Sequence, residues 1–490
     1  MRKLKCFSRK SCTIEIDISN GLPCLSIVGL PETAVKESKD RVRSALLNSN
    51  FDFPARRITV NLAPADLPKK DGGRFDLAIA IGILAATNQI PKDALPDFEF
   101  AGELALSGKL RAIKGALPFA LATKQAARSL ILPQHNAAEA ALVKDTKIIP
   151  ANHLIDVVDH FTRFKPIEPY TINHENFTST YEADLSEVKG QFQAKRALEI
   201  AASGRHGLLM NGPPGTGKSM LAHRLPTILP NMSDEEALQT AAIHSISGKK
   251  FRAKTWRVRP FRAPHHTSSS VALVGGSSPP KPGEISLAHN GVLFLDELPE
   301  FPRKVLEVLR EPLESQSVII SRAAFQTEFP ANFQLIAAMN PCPCGHLGSQ
   351  QKKCTCSIQR IQQYQNKLSG PLMDRIDLHI KVPSLPKGTL STLSTVTTEN
   401  SETVRKRVLK TREIQINRQN TLNALLSNKQ IEQHCKLTAK DQETLENAIE
   451  KLQLSARSYH RILKVARTIA DLDASPDIKT QHLMETLSYR

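Results

Sequence analysis

The chain has 490 residues, with 65 Lys and Arg against 48 Asp and Glu, a formal charge of +17. At about 150 residues per domain that length makes roughly three domains. The basic surplus favours a polyanionic partner, nucleic acid above all, and 40% hydrophobic with 23% charged residues excludes a disordered chain. The longest apolar run, Leu77 to Ala86, is ten residues, where a spanning helix needs about 20. The basic start has no apolar stretch behind it, so neither a membrane span nor a secretory signal is expected. Eight cysteines in a chain this long argue against a disulfide scaffold and for the reducing cytoplasm.

Residues 1–165 read as one α/β unit. β-rich runs at 13–18, 56–64, 129–133 and 146–150 alternate with helical runs at 32–49 and 76–89. Residues 166–185 have little period and several turn formers, the signature of a linker. A second α/β unit covers 186–382. A Ser/Thr-rich stretch at 383–402 separates it from a helical remainder, 403–490.

The second unit holds G-x-x-x-x-G-K-S, running Gly212, Pro213, Pro214, Gly215, Thr216, Gly217, Lys218, Ser219. The run Gly207 to Met210 before it suits a buried strand and the run after it suits a helix, the context a phosphate loop requires. Backbone N–H groups there close on phosphates at a helix N-terminus. Lys218 reaches the β- and γ-phosphates of ATP, and Ser219 ligates Mg²⁺. Downstream, the apolar run Val292 to Leu295 ends in Asp296 and Glu297. A carboxylate at that end of a parallel strand sits where such sheets bind ligands, so Asp296 suits the Mg²⁺ shell and Glu297 suits activation of a water. A third apolar run, residues 333–339, ends in Asn340, which can orient that water or simply form a turn before Pro341.

These three motifs together resemble the AAA+ ATPases. Residues 259–276 and 282–301 are similar to the magnesium-chelatase branch, and nearly the whole chain resembles the ComM/YifB family. That resemblance implies an amino-terminal Lon-protease-like domain, a P-loop AAA+ αβα core and a helical carboxyl-terminal lid. Family members are described as hexameric branch-migration helicases of natural transformation, which implies a cytoplasmic homo-oligomeric ring, DNA as partner and no membrane. Residues 370–380 resemble the segment bearing an arginine finger, here Arg375; the other reading is an ion pair with Asp374 or Asp377. Residues 455–472 resemble the second-sensor helix, with Arg457 the candidate and Arg461 sharing its face. Residues 317–331 resemble the presensor hairpin of minichromosome-maintenance helicases, with Arg322 at the channel-facing tip. Residues 67–86 and 100–127 resemble the Lon protease domain, but Arg74 falls at the serine position and Leu117 near the lysine position. The serine–lysine dyad is therefore expected to be absent, leaving a non-proteolytic DNA-binding or assembly module.

Two further features stand apart from these motifs. Residues 248–262 carry seven basic and no acidic side chains, with Phe251, Trp256 and Phe261 interleaved. Lys249, Lys250, Arg252 and Arg257 are the DNA-binding candidates there, with the aromatics as stacking faces; the other reading is a strand whose aromatics face a core. Cys342, Cys344, Cys354 and Cys356 form two C-x-C pairs suited to a structural Zn²⁺, tighter than the usual C-x₂-C. His346 is a substitute ligand, and the other reading is four free thiols. His265 and His266 can bind metal, or belong to a loop near the channel or subunit interface.

The leading function is thus an ATP-driven ring motor on DNA. The alternative class is a chelatase-type ATPase that remodels a protein partner; no D-x-S-x-S metal-adhesion motif supports it. An adaptor that binds ATP without hydrolysing it is disfavoured by Glu297, Asn340 and Arg375.

Overall fold

A computed structural model describes residues 12–30, 33–64, 72–171, 181, 183–248, 255–277, 280–322, 325–349, 352–385, 398–451 and 455–490. The chain divides into two compact units, Met1–Thr178 with Ala237–Ala253 and Ser179–Glu236 with Lys254–Arg490. The described residues 237–248 thus pack with the first unit, although chain order places them within the second α/β unit.

In the first unit, β1 (Thr13–Ser19) pairs antiparallel with β3 (Arg57–Ala63), and β2 (Cys24–Val28) runs parallel on its other side. Alternation in β3 buries Ile58, Val60 and Leu62 on one face. The run at 32–49 contributes helix α1 (Ser38–Asn48), and the apolar run becomes helix α2 (Asp76–Ala86). Gly82 lets α2 approach the sheet, since a Cβ there would lie 2.5 Å from Ile16 Cδ1. Buried Asp76 takes a hydrogen bond from Arg41 Nε at 2.8 Å, which supplies the partner a buried carboxylate needs. A second, all-parallel sheet orders β4 (Phe98–Phe100), β5 (Ser129–Pro133) and β6 (Ile148–Ala151), with β5 central. All four expected β-rich runs form strands.

The second unit is built on a five-stranded parallel sheet. Its strands are β7 (Leu208–Asn211), β8 (Phe261–Arg262), β9 (Val292–Leu295), β12 (Gln334–Met339) and β13 (Leu378–Lys381), in the order β8-β9-β12-β7-β13. Strands β9 and β12 are buried along their whole length, which is why they read as unbroken apolar runs rather than alternating ones. Helices α3 (Phe192–Gly204) and α4 (Lys218–Ile228) supply Leu198, Ala201, Leu221 and Leu225 to the core around Met210, Phe294 and Ile336. Before β12, β10 (Ser317–Arg322) and β11 (Phe325–Pro330) pair antiparallel with Arg322 opposite Phe325.

Helix α5 (Ile358–Gln365) lies between β12 and β13, and beyond the sheet the described chain is helical, with α6 (Ser401–Gln419), α7 (Ala456–Leu472) and α8 (Thr480–Leu487). Side-chain oxygens of Ser357, Asn400 and Ser455 cap the first three, satisfying N–H groups the helices leave open. Val465 and Ile469 of α7 join the sheet core, while Ile462, Leu463 and Ala466 close a smaller cluster with Leu445 and Leu483. No helix among the described residues is long and apolar enough to cross a membrane.

Candidate active site

Three adjacent strands, β9, β12 and β7, end at one edge of the parallel sheet, and their following residues meet there. The glycine-rich loop leaves β7 and enters α4 at Gly217, which has φ +88°; Gly215 has φ +77°. Both are backbone conformations that side chains resist. Gly212 serves close approach instead, because a Cβ there would fall 2.1 Å from the Val382 carbonyl oxygen. Lys218 folds back into the loop. Its Nζ donates to the carbonyls of Gly212 at 2.6 Å and Pro213 at 2.8 Å, and to Asn340 Oδ1 at 3.2 Å. Burial pushes its ammonium below its usual pKa, against the pull of Asp296 and Glu297. A cation held this way gains from a nearby anion.

Ser219 Oγ donates to Asp296 Oδ2 at 2.5 Å. Two oxygen donors brought to one point suit a hard cation such as Mg²⁺. Next to them, Glu297 sits at φ +52° with its N–H donating to Asp296 Oδ1 at 2.9 Å. A glutamate in left-handed backbone costs about 1 kcal/mol. That conformation turns the chain so that consecutive carboxylates leave the strand end in different directions. Thus Lys218, Ser219, Asp296, Glu297 and Asn340, chosen from spacing, converge.

Two residues at this edge escaped the sequence reading of the site. His266 Nδ1 lies 3.1 Å from Glu297 Oε2, so one of the two histidines meets a carboxylate. The signal was topological, since β8 neighbours β9 and the loop after it opens on the same edge. Gln191 spans from the glycine-rich loop to the segment after β13, donating to the carbonyls of Thr216 at 3.3 Å and Pro383 at 2.9 Å. No motif signals it.

The arginines lie elsewhere. The Arg375 guanidinium is 7% exposed and pairs with Glu314, not with Asp374 or Asp377, and it also donates to the Pro371 carbonyl at 2.6 Å. Arg461 pairs with Asp377 at 2.9 Å, before β13 and at the other end of the sheet. Arg457, in the first turn of α7, is exposed. Among the described residues, no ion pair or hydrogen bond ties Arg375, Arg457 or Arg461 to the glycine-rich loop.

The four cysteines meet. Their sulfurs all lie within 4.8 Å of one another, with Cys342–Cys344 at 3.4 Å and both Cys342–Cys354 and Cys344–Cys354 at 3.6 Å. Tetrahedral zinc with bonds of about 2.3 Å needs sulfurs about 3.8 Å apart, so the set fits the metal. Backbone N–H groups of His346 and Thr355 pull the Cys344 thiol down to about 5, while burial and the neighbouring sulfurs push the Cys354 and Cys356 thiols up; a thiolate is the form a metal takes.

Comparison with known proteins agrees along the length of the chain. The family Magnesium chelatase, subunit ChlI matches residues 184–390, Subunit ChlI of Mg-chelatase matches 14–136, and Magnesium chelatase, subunit ChlI C-terminal matches 398–490. The competence protein ComM of Haemophilus influenzae is 54% identical over 98% of this chain and 94% of its own. The protein YifB of Escherichia coli is 50% identical over 98% of this chain and 94% of its own. The chain belongs to the ComM/YifB family. The magnesium-chelatase 38 kDa subunit of Cereibacter sphaeroides is 25% identical over 32% of this chain and 52% of its own, so that likeness is partial.

Within this family member, the aromatic–basic segment departs from expectation. Trp256 is 4% exposed, and the Phe261 ring centroid lies 5.9 Å from that of Phe294 in the core. Neither ring is a free stacking face: Trp256 is buried in the turn before β8, and Phe261 on β8 faces the sheet core. The described arginines are also engaged: Arg257 with Asp234 at 2.8 Å, Arg259 with Glu236 at 2.9 Å, and Arg262 with Glu284 at 2.5 Å. The segment has no acid of its own, but the fold brings acids to it. Lys249, Lys250, Phe251 and Arg252 lie outside the described residues, as do the hairpin tip and the Arg322 side chain. In the first unit, Arg74 stacks over Phe75 at 4.9 Å and Phe119 at 5.1 Å, and Leu117 is fully buried. Neither of the two positions matched to the Lon dyad carries a nucleophile or a base.

Proposed function

We propose that the chain is an ATP-hydrolysing AAA+ motor that works on DNA as a ring of copies, a hexamer by family resemblance. The observation that carries this reading is the convergence of Lys218, Ser219, Asp296, Glu297 and Asn340 at one sheet edge. Lys218 exchanges its bonds to the Gly212 and Pro213 carbonyls for the β- and γ-phosphates. Ser219 and Asp296 hold Mg²⁺, which when bound neutralises phosphate charge. Glu297, once released by His266, polarises the attacking water, and Asn340 orients it. Arg375 leaves Glu314 to reach the phosphate of a neighbouring subunit, and Arg457, or Arg461 on the same face, acts as second sensor.

The first unit is read as a non-proteolytic Lon-like module and the carboxyl-terminal helices as the lid, with domain limits 1–165, 186–382 and 403–490. The cysteines hold one structural Zn²⁺. DNA contacts come from Arg322, Lys249, Lys250 and Arg252, and the site of action is the cytoplasm. Competence, in the name of the Haemophilus relative, favours branch migration in recombination as the task. The deciding experiment is ATP turnover with and without forked or Holliday-junction DNA, read beside strand displacement. DNA-stimulated turnover with displacement is expected; turnover indifferent to every DNA would favour the chelatase-type reading, to which the partial likeness to the 38 kDa subunit points.

A further inference from the structure

The cysteine cluster and the glycine-rich loop touch. Gly345, in the turn closed by its own N–H to the Cys342 carbonyl at 2.9 Å, has φ +79°. A Cβ there would lie 2.6 Å from Pro214 Cδ, 3.1 Å from Pro214 Cγ and 3.9 Å from Asn340 Cγ. Pro214 is the middle of the glycine-rich loop, next to the Pro213 carbonyl that Lys218 uses. Only Pro341 separates Asn340 from Cys342. On the far side of the cluster, Cys356 leads through Ser357 into α5, whose Gln365 Nε2 donates back to the Pro341 carbonyl at 3.4 Å. The loop therefore leaves the nucleotide edge at Asn340, is gathered by four sulfurs, and returns to the residue after Asn340.

The described residues of the segment between are largely open to solvent. Cys342 is fully buried, but Lys352, Lys353, Thr355 and Ser357 are exposed and Cys344, Cys354 and Cys356 only half-buried. Those described residues bury little apolar surface to set against their ordering entropy. A metal joining four thiolates supplies that missing free energy. We propose that a metal held by Cys342, Cys344, Cys354 and Cys356 fixes the wall on which the glycine-rich loop and Asn340 seat, so that nucleotide affinity depends on the metal and Gly345 is a positioning residue. This rests on the nucleotide reading of the site above.

The test uses the full chain and a fluorescent ATP analogue with Mg²⁺, titrated at equilibrium, with metal content and circular dichroism measured in parallel. Removing zinc with a chelator, then clearing the chelator, should weaken analogue binding about tenfold or more, and zinc returned alone should restore it. Gly345→Ala should weaken binding by about tenfold while keeping its zinc, because the added methyl meets Pro214 in a left-handed turn. Should this variant shed its metal, the chelation arm decides. A folded, zinc-free chain that binds the analogue as tightly as the parent overturns the inference while leaving the nucleotide site intact, and so does a parent chain isolated without metal that binds normally. A zinc-loaded parent that binds no analogue overturns the nucleotide reading itself.

Discussion

The two ends of the five-stranded sheet are made of the same strands and treat polar groups in opposite ways. At the amino-terminal end the partners of Asp377 are supplied by the fold. Asp377 takes bonds from His206 Nδ1 at 3.2 Å, the Gly207 N–H at 3.1 Å and Arg461 at 2.9 Å. His206 Nε2 lies 2.7 Å from Thr468 Oγ1, and Gln334 donates to the Ala201 and His206 carbonyls at 2.9 and 2.8 Å. At the carboxyl-terminal end, a buried ammonium is left with two carbonyls and an amide, and two carboxylates lie within reach of it. The carboxylate at the first end is matched from within the fold, and the ammonium at the second is left for a charged ligand. Charge density alone does not tell them apart: Arg259 and Arg461 belong to the first end.

The largest effects should follow from substitutions at the carboxyl-terminal end. Lys218→Ala is expected to abolish nucleotide binding, since its ammonium is the cation held inside the glycine-rich loop. Arg375→Ala should lower turnover by about 10³ or more. Mixing its subunits with Lys218→Ala subunits should restore part of it, as the finger of one serves the loop of the other; purely additive loss in rings shown to mix would place Arg375 outside the reaction. Glu297→Gln should bind ATP normally and turn over about 10² more slowly. Steady-state turnover equal to the parent's would remove Glu297 from the mechanism.

The carboxyl-terminal end was legible because its chemistry demands fixed spacings. A phosphate loop needs glycines before a helix, and a buried parallel strand ending in a carboxylate is recognisable by itself. Strand runs in both units were legible for the same physical reason, burial on one face or two. What was not legible was pairing across distance. The seven basic residues of 248–262 carry no local sign that Asp234, Glu236 and Glu284 will meet three of them. Nor does Arg375 announce Glu314, 61 residues away. The same holds for His266, whose contact with Glu297 depends on which strand lies beside which.

The amino-terminal end should show itself in acid. Burial, with Arg490 adding to it, pushes His379 of β13 down to about 4, so it stays neutral in the fold where the unfolded chain, near 6.5, takes up a proton. Stability is therefore full above pH 6.5 and falls as pH drops from there towards 4. Asp377 is held well below the usual carboxylate range, because His206 and Arg461 outweigh the opposing effect of burial; its contribution is lost only at pH below about 4. Between pH 7.5 and 5 the His379 share is about 2 kcal/mol. Unfolding in denaturant at both pH values should show a smaller acid loss in His379→Gln than in the parent, with a residue left by His160, His434 and His482, which burial also lowers. An unchanged acid loss would mean His379 is solvated.

The smallest effect concerns Arg257, and it separates paired from unpaired charge within one basic segment. If DNA is gripped electrostatically, replacing Lys249, Lys250 and Arg252 by Ala should weaken binding across unrelated sequences and flatten its salt dependence, by about 0.9 for each phosphate no longer neutralised. Arg322→Ala should reduce strand displacement more than DNA-free ATP turnover, since a translocating motor must hold and release backbone without reading bases. Arg257 is different in kind. Its guanidinium already faces Asp234, and both side chains are only partly exposed, at 42% and 36%. Drawing it onto a phosphate would break that pair and leave Asp234 near the DNA, so the gain in attraction is largely offset. Arg257→Ala should then leave the salt slope unchanged and cost less than about 1 kcal/mol of stability, as half-exposed pairs do. A salt slope flattened by Arg257→Ala alone as much as by the triple replacement would show that the Asp234 pair opens on binding, and that the basic segment acts as one surface after all.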